Sequence, residues 1–193
     1  IITPFANRLR TNNYEIKTAL DTLLKIEHVF DGLSKGCQIK SPVDLVVNLC
    51  REFNLAIQPA TDYITNYGMY NYLVSSVSNM QQNIGDPPDV SGWKAYYQAP
   101  QFYEIWINSD TLPKRNQFTD TLIVNGYTFN GKKIQIDGAE FAKTLSNPGD
   151  PNQLIDDIVN LIFRIDISAA SKKQLKTDIL LGGQSTDFYW TDA

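Results

Sequence analysis

Apolar residues recur every three or four positions over most of the chain, which is the pattern of amphipathic helices. The first such stripe covers about residues 13–30 and contains Ile16, Leu20 and Leu23. The same pattern predicts further helices over about residues 61–82, 109–123, 139–145, 152–163 and 171–181. We therefore expect a mainly α-helical fold, arranged as a helical bundle.

The strongest helix-start signal lies at residues 40–44, which read Lys-Ser-Pro-Val-Asp. Ser41 is suited to the N-cap, Pro42 to the first helical position and Asp44 to the third. A helix that ends near Asn54 should follow. In the helix predicted over residues 61–82, one stripe at helical spacing is formed by Tyr63, Tyr67, Tyr70, Val74 and Val77.

The pattern changes near residue 124, where short apolar segments flank Asn130-Gly131. This dipeptide is a strong signal for a two-residue type I′ turn. The sequence predicts one small β-hairpin over residues 124–136, with Phe129 and Ile134 facing each other across it. We expect residues 1–193 to form a single helical domain, in which residues 124–193 supply the hairpin and the C-terminal helices.

Charge and composition exclude some partners. The 193 residues include 17 Lys and Arg against 21 Asp and Glu, a formal net charge of −4. Because no basic run exists, we expect no nucleic-acid partner. No segment reaches the roughly 18 consecutive apolar residues of a membrane span. Large aromatic residues stand close to the last residue, so we interpret the chain as a fragment whose first partner is the rest of its parent chain.

Catalytic and metal-binding residue types are scarce. The chain has one histidine, His28, on the polar face of the first predicted helix, and no G-x-S-x-G segment, so a self-contained hydrolytic triad is not expected. Its two cysteines, Cys37 and Cys50, do not form a C-x-x-C pair, and a disulfide between them stays open. Neither complete phosphate-binding glycine motif, G-x-x-x-x-G-K-[ST] or G-x-G-x-x-G, is present. The sequence predicts no metal and no cofactor.

Carboxylates offer another route to hydrolysis. Asp86, Asp89 and Glu104 lie near aromatic residues, and glycosidases use a pair of carboxyl groups. The simpler interpretation, which we favour, is that Asp89 caps a turn and Glu104 faces water.

Aromatic residues are concentrated between residues 93 and 106. Flat rings on a loop-rich segment can stack on sugars or anchor a protein partner. Core packing is the simpler interpretation, with Trp93 and Trp106 filling a notch beneath the loop. The candidate binding residues are Asp89, Trp93, Tyr97, Tyr103 and Trp106.

Three segments together resemble a known family. Residues 81–93 read QQNIGDPPDVSGW, and Trp106-Ile107-Asn108-Ser109, Leu112 and Arg115 follow. Upstream, residues 39–47 read IKSPVDLVV. In this order the motifs resemble the C-terminal part of the bacterial domain of unknown function 1800 family, over about residues 10–123. The motif residues expected to be structural are Lys40, Ser41, Pro42, Pro87, Pro88, Gly92 and Arg115.

The resemblance implies a predominantly helical protein that is exported to the periplasm or beyond the cell, and it implies no particular reaction. We expect the proline-rich loop and Trp93 to pack on the helix that starts at Ser41 and on the helix of residues 109–123. Lys40 and Arg115 are expected to bind carbonyl or carboxylate groups of that loop, since the guanidinium offers five donors in a fixed fork.

Three functions stay open at this point. The first is a non-catalytic binding or scaffolding part of an exported envelope protein, which recognises a glycan or a protein through the aromatics of residues 93–106. The second is part of a hydrolase whose catalytic base lies elsewhere in the parent chain. The third is a purely structural helical cap.

Overall fold

The computed structural model describes residues 2–36, 38–55, 57, 61–93 and 103–191. It confirms a mainly α-helical fold with one small antiparallel hairpin. Its internal contacts divide the chain into two compact units, Ile1–Cys37 and Gln38–Ala193, each described by itself below.

The first unit consists of two helices and two short 3₁₀ turns: α1 (Ile2–Thr11), α2 (Ile16–Leu24) and the turns Glu27–Phe30 and Gly32–Ser34. The helix predicted over residues 13–30 is therefore too long. Asn13 and Tyr14 have φ angles of 52° and 60°, a left-handed conformation that a right-handed helix cannot contain. The Glu15 side chain then caps α2 by accepting a hydrogen bond from the backbone N–H of Lys17.

The second unit holds the remaining helices and the hairpin. These elements are α3 (Pro42–Glu52), α4 (Tyr63–Asn79), α5 (Thr111–Asp120), β1 (Tyr127–Phe129), β2 (Lys132–Ile134), α6 (Gly138–Ala142), α7 (Pro151–Ile162), α8 (Ala169–Gln174) and α9 (Phe188–Thr191). A 3₁₀ turn at Glu104–Trp106 precedes α5, and π-helical turns extend α5 over Thr121–Asn125 and α8 over Leu175–Leu180.

Helix α3 begins as the sequence predicts. The Ser41 hydroxyl accepts a hydrogen bond from the backbone N–H of Asp44 at 3.2 Å, and Pro42 stands in the first turn. The helix ends at Glu52, and the left-handed φ of 44° at Asn54 turns the chain away. A local cap thus fixes the start of the helix without help from distant residues.

The hairpin forms at Asn130-Gly131, which have the positive φ angles of 51° and 74° that a type I′ turn requires. This two-residue turn pairs Phe129 with Lys132 and Tyr127 with Ile134. The expected pairing of Phe129 with Ile134 is therefore wrong, because the turn sets the register. The Tyr127 ring instead stacks on Tyr72 of α4, with ring centroids 3.9 Å apart.

The last carbonyl groups of the extended α5 bind to the segment after the hairpin. The backbone N–H of Ile136 donates to the Leu122 carbonyl at 2.9 Å. The Gln135 Nε2 atom donates to the carbonyls of Ile123 and Val124, both at 3.1 Å. The two residues that follow the hairpin thus satisfy helix-end acceptors that a cap would otherwise serve.

The core of the second unit lies between α3, α4, α5 and the hairpin; it contains Val46, Leu55, Met69, Leu73, Val77, Met80, Phe118, Leu122, Ile134 and Ile136. From α4 it takes Met69, Leu73 and Val77, whereas the Tyr and Val residues of the stripe noted in the sequence are exposed, apart from Val77. Gly68 lies directly against the ring of Phe129, where a larger side chain would overlap the ring.

The C-terminal helices also have local start signals. Asp150 caps α7, where Pro151 occupies the first turn, and Ser168 caps α8. Along α7, Leu154, Ile155 and Val159 are buried, whereas Ile162 near its end is 52% exposed.

Candidate functional site

The motif residues meet around the side chain of Arg115. Arg115 is a buried residue of α5. Its Nη2 donates to the backbone carbonyl of Lys40 at 2.7 Å, and its Nη1 donates to that of Trp106 at 3.4 Å. Arg115 therefore binds carbonyl groups as expected, but these belong to the segments before α3 and α5 and not to the proline-rich loop.

Thr111 binds the same carbonyl from the first turn of α5. Its Oγ1 donates to the Trp106 carbonyl at 3.1 Å and accepts from the backbone N–H of Asn108 at 2.9 Å. The Asn108 Oδ1 accepts from the backbone N–H groups of Asp110 and Thr111, both at 2.9 Å. Asn108 therefore caps the start of α5, and this capping explains the asparagine of the Trp106–Ser109 motif.

Two glutamines after α4 complete the arrangement. The Gln82 Oε1 accepts from the backbone N–H of Val43 at 2.9 Å, a first-turn donor that has no partner inside α3. Gln81 accepts from Asn108 Nδ2 at 3.2 Å and donates to Asp110 Oδ2 at 3.1 Å. We call the connected set the signature junction; it consists of Lys40, Gln81, Gln82, Trp106, Asn108, Thr111 and Arg115. The sequence pattern does not single out Gln81, Gln82, Asn108 and Thr111 as site residues, although the first three lie inside the motif segments.

The proline-rich loop itself is exposed. Residues 83–91, Pro87 and Pro88 included, are exposed, so the expectation that they pack on α3 and α5 is wrong for this part of the loop. Two turns organise it: Asn83 donates to Asp86 at 3.1 Å, and the backbone N–H of Ser91 donates to Asp89 at 2.7 Å. Each carboxylate stabilises its own turn, as the simpler interpretation of Asp89 predicts.

The candidate aromatic residues differ in exposure. Trp106 is only 7% exposed and is part of the packed interior, so its ring is not presented to a ligand. Trp93 is half-buried and contacts Trp106, with ring centroids 6.2 Å apart and ring planes at 53°. Tyr103 is half-buried as well. Tyr97 lies outside the described residues.

A family model described as "Protein of unknown function (DUF1800)" matches residues 1–186. The chain belongs to this family. The match extends well beyond residue 123, so the hairpin, α7 and α8 are part of the family's domain together with the motif region. No curated protein and no solved structure matches the chain.

Burial and hydrogen bonding shift the pKa of Arg115 in the signature junction and of Asp110 beside it. Burial lowers the pKa of the Arg115 guanidinium, which still remains a cation at neutral pH because an arginine side chain is not deprotonated in proteins. The Lys114 ammonium, 2.8 Å from Asp110, lowers the pKa of that exposed carboxyl, and the hydrogen bond from Gln81 contributes further. Both side chains therefore keep their charge while they connect segments.

The described part of the DUF1800 chain contains few side chains suited to metal binding or thiol chemistry. Within it, no group of three or more His, Cys, Asp or Glu side chains is placed to hold a metal ion. Nor does it contain a helix with the length and apolar character needed to cross a membrane. Cys50 is a free thiol whose pKa is raised by burial. Cys37 lies outside the described residues, and His28 is exposed in a 3₁₀ turn.

A cavity of about 340 Å³ lies between α7 and α8 of the DUF1800 chain. Two of the three lysines that line it have anionic or polar partners: Lys172 binds Asp156 at 2.7 Å, and Lys176 binds Asn152 and Asp187, both at 2.8 Å. The Lys176 ammonium, followed by the amide of Asn152, lowers the pKa of Asp187. These contacts join α8 to α7 and to the residues before α9.

Proposed function

We propose that this DUF1800 chain is a non-catalytic binding and scaffolding part of an exported bacterial envelope protein, and that its loop of residues 83–93 contacts a protein ligand. The observation that carries the proposal is the signature junction, which holds both ends of an exposed loop. Export and a bacterial source are parts of the proposal that rest on the family resemblance.

The loop is held at each end by a different part of the junction. At its start, Gln82 binds the first turn of α3 and Gln81 binds Asp110 before α5. At its end, Trp93 contacts Trp106, whose carbonyl accepts from Arg115 and Thr111. A loop that is ordered before binding loses less conformational entropy when a ligand arrives. This arrangement therefore favours a role of the loop in binding a ligand over a role as a simple connection between helices.

The exposed side chains of the loop favour a protein ligand. Val90 is fully exposed and Ile84 is 54% exposed, and both lie in the two organised turns. Apolar side chains on a preformed loop suit the apolar centre of a protein interface. A glycan ligand is the second candidate, supported by the half-buried rings of Trp93 and Tyr103.

Photocrosslinking tests the protein ligand directly. p-Benzoylphenylalanine is placed at Val90 or at Ile84 of the parent protein in its native cell, and at the exposed Glu140 of α6 as the matched control. We expect one discrete crosslinked protein from both loop positions and none from the control position. Equal crosslinking from all three positions would mean that the loop has no specific ligand. Immunoblots of cytoplasmic, periplasmic and external fractions from the same cells test the proposed export.

A glycan titration separates the alternatives. Tryptophan fluorescence is followed while cellohexaose, chitohexaose or maltohexaose is added to the chain and to its Trp93→Ala variant. A saturable change that the variant lacks would favour glycan recognition. If the chain releases shorter oligosaccharides and its Asp89→Asn variant does not, the result would favour the hydrolase. If neither crosslinks nor fluorescence changes appear, the structural helical cap becomes the better description.

A further inference from the structure

Helix α4 carries an exposed apolar stripe on the side away from the core. We call this stripe the α4 outer face; it consists of Tyr63, Ile64, Tyr67, Tyr70 and Val74, all exposed. Tyr63, Tyr67, Tyr70 and Val74 follow one another at intervals of four, three and four residues and therefore lie along one line of the helix.

The composition of α4 is unusual for a helix with a solvent-facing side. No charged residue occurs from Tyr63 to Asn79. Asn71 and Ser75, which are exposed beside the stripe, are also uncharged. A surface helix normally carries charged residues opposite its core face, whereas a helix that is apolar all round is covered on both sides. The composition therefore indicates that the outer face has a partner.

The geometry points to a second copy of this chain as that partner: we propose that two α4 outer faces pack against each other about a two-fold axis. A two-fold interface uses the same surface on both copies, so any charge near its axis would lie close to the same charge on the other copy. Each copy carries a formal charge of −4. The outer face contributes none of that charge, so it can pair with itself without like-charge repulsion.

The exposed area fits a small interface that associates weakly and reversibly. Tyr63, Tyr67 and Tyr70 are 62%, 74% and 49% exposed. These fractions correspond to roughly 400 Å² of tyrosine surface, taking about 230 Å² for a whole side chain. That is about half of the ~800 Å² that each partner buries in a standard interface. Ile64, Val74, Asn71 and Ser75 extend the surface, and tyrosine is enriched at such contacts.

Contacts on the opposite side of α4 hold the outer face in place. Gly68 lies against Phe129, and the Asn130 Nδ2 donates to Thr65 Oγ1 at 3.1 Å. Tyr72 stacks on Tyr127 of the hairpin. Because these contacts order the helix before association, little conformational entropy remains to be lost on pairing.

Sedimentation velocity of the 193-residue chain over micromolar to submillimolar concentrations tests the proposal. We expect a reversible dimer. Tyr67→Glu should raise its dissociation constant by about a hundredfold, since the interface would bury two like charges without partners. Ile179→Glu is the matched control, because Ile179 is 76% exposed and lies outside α4. Circular dichroism of each variant verifies that the fold is intact.

A charge-pairing experiment gives a positive result that misfolding cannot imitate. Tyr67→Glu and Tyr67→Lys should each be monomeric, and their equimolar mixture should recover a heterodimer, because opposite charges then meet across the two-fold axis. A chain that stays monomeric at every concentration would overturn the proposal. A dimer that Tyr67→Glu leaves unchanged would overturn it as well.

Discussion

Arg115 and Lys40 lie 75 positions apart in the sequence and are joined by a 2.7 Å hydrogen bond from the guanidinium to a backbone carbonyl. The acceptor is the main chain, and the Lys40 residue itself is exposed. Arg115 therefore recognises the position of the chain before α3 and not the lysine side chain. The guanidinium also reaches the carbonyl of Trp106, so one side chain fixes two segments.

Replacing Arg115 by lysine should lower the free energy of unfolding by about 2 kcal/mol, because an ammonium cannot reproduce the fork and a buried carbonyl loses its donor. Urea denaturation followed by circular dichroism measures the change. Arg51→Lys on the exposed side of α3 is the matched control and should change the stability by less than about 0.5 kcal/mol. Equal losses in the two variants would mean that the junction contributes no specific stability.

Gly68→Ala should destabilise the chain by roughly 1–3 kcal/mol, although alanine is intrinsically the better helix former. An added Cβ would overlap the ring of Phe129. Combining it with Phe129→Ala should cost less than the sum of the two single changes, because the smaller side chain removes the overlap. Thermal unfolding of all four proteins measures the coupling.

Gly138→Ala is the control for this cycle, since a Cβ at that position in α6 has no neighbour within 4 Å. Additive effects of Gly68→Ala and Phe129→Ala would contradict the close packing of α4 on the hairpin.

Asp157 should make the stability of the C-terminal part depend on acid pH. Hydrogen bonds from the Ser146 hydroxyl and then from Gln153 lower the pKa of this carboxyl below its ordinary value of 3.8. Its stabilising effect is therefore complete above pH 3.8 and declines as the pH falls through the lower, folded-state pKa.

Asp157→Asn should consequently reduce the urea midpoint at pH 6, and its difference from the unchanged chain should shrink towards pH 3. The exposed Asp178→Asn serves as the comparison and should give a smaller difference at pH 6. A difference for Asp157→Asn that stays constant from pH 6 to pH 3 would show that the hydrogen bonds do not depend on ionisation.

Cys50 should react slowly with iodoacetamide at pH 8, because burial raises the pKa of its thiol and thereby lowers the thiolate fraction. Peptide mapping by mass spectrometry gives the rate at Cys50 separately from that at Cys37. In denaturant the Cys50 rate should rise to that of a model thiol. A rate that is equally fast in the native chain would contradict the burial of this residue.

Local signals gave the elements that the sequence predicted best. Ser41-Pro42 starts α3 and Asn130-Gly131 forms the hairpin turn, because in each case the required backbone geometry lies within a few residues. The break at Asn13 and Tyr14 depends on left-handed φ angles for which tyrosine has no preference. The spacing of apolar residues therefore predicted one helix that also included the residues before and after α2.

The orientation of α4 and the junction depend on distant contacts. Both sides of α4 are apolar, so periodicity alone does not identify the buried side, which only contacts with distant residues reveal, such as that of Gly68 with Phe129. The acceptors of Arg115 are backbone carbonyls, which every residue possesses. The sequence therefore does not indicate which of them the guanidinium binds. The motifs indicated that Arg115 and Lys40 are structurally important. Only the fold shows that the Arg115 side chain binds the backbone of Lys40.

The contact between the end of α5 and the residues after the hairpin bears on the order in which the chain folds. Gln135 lies only 11 and 12 residues beyond the carbonyls to which it donates, so the search for these partners is short. Closing the junction instead requires a loop of 75 residues. We therefore expect α5 and the hairpin to fold early as a nucleus. The segment around Lys40, before α3, should bind to this nucleus last.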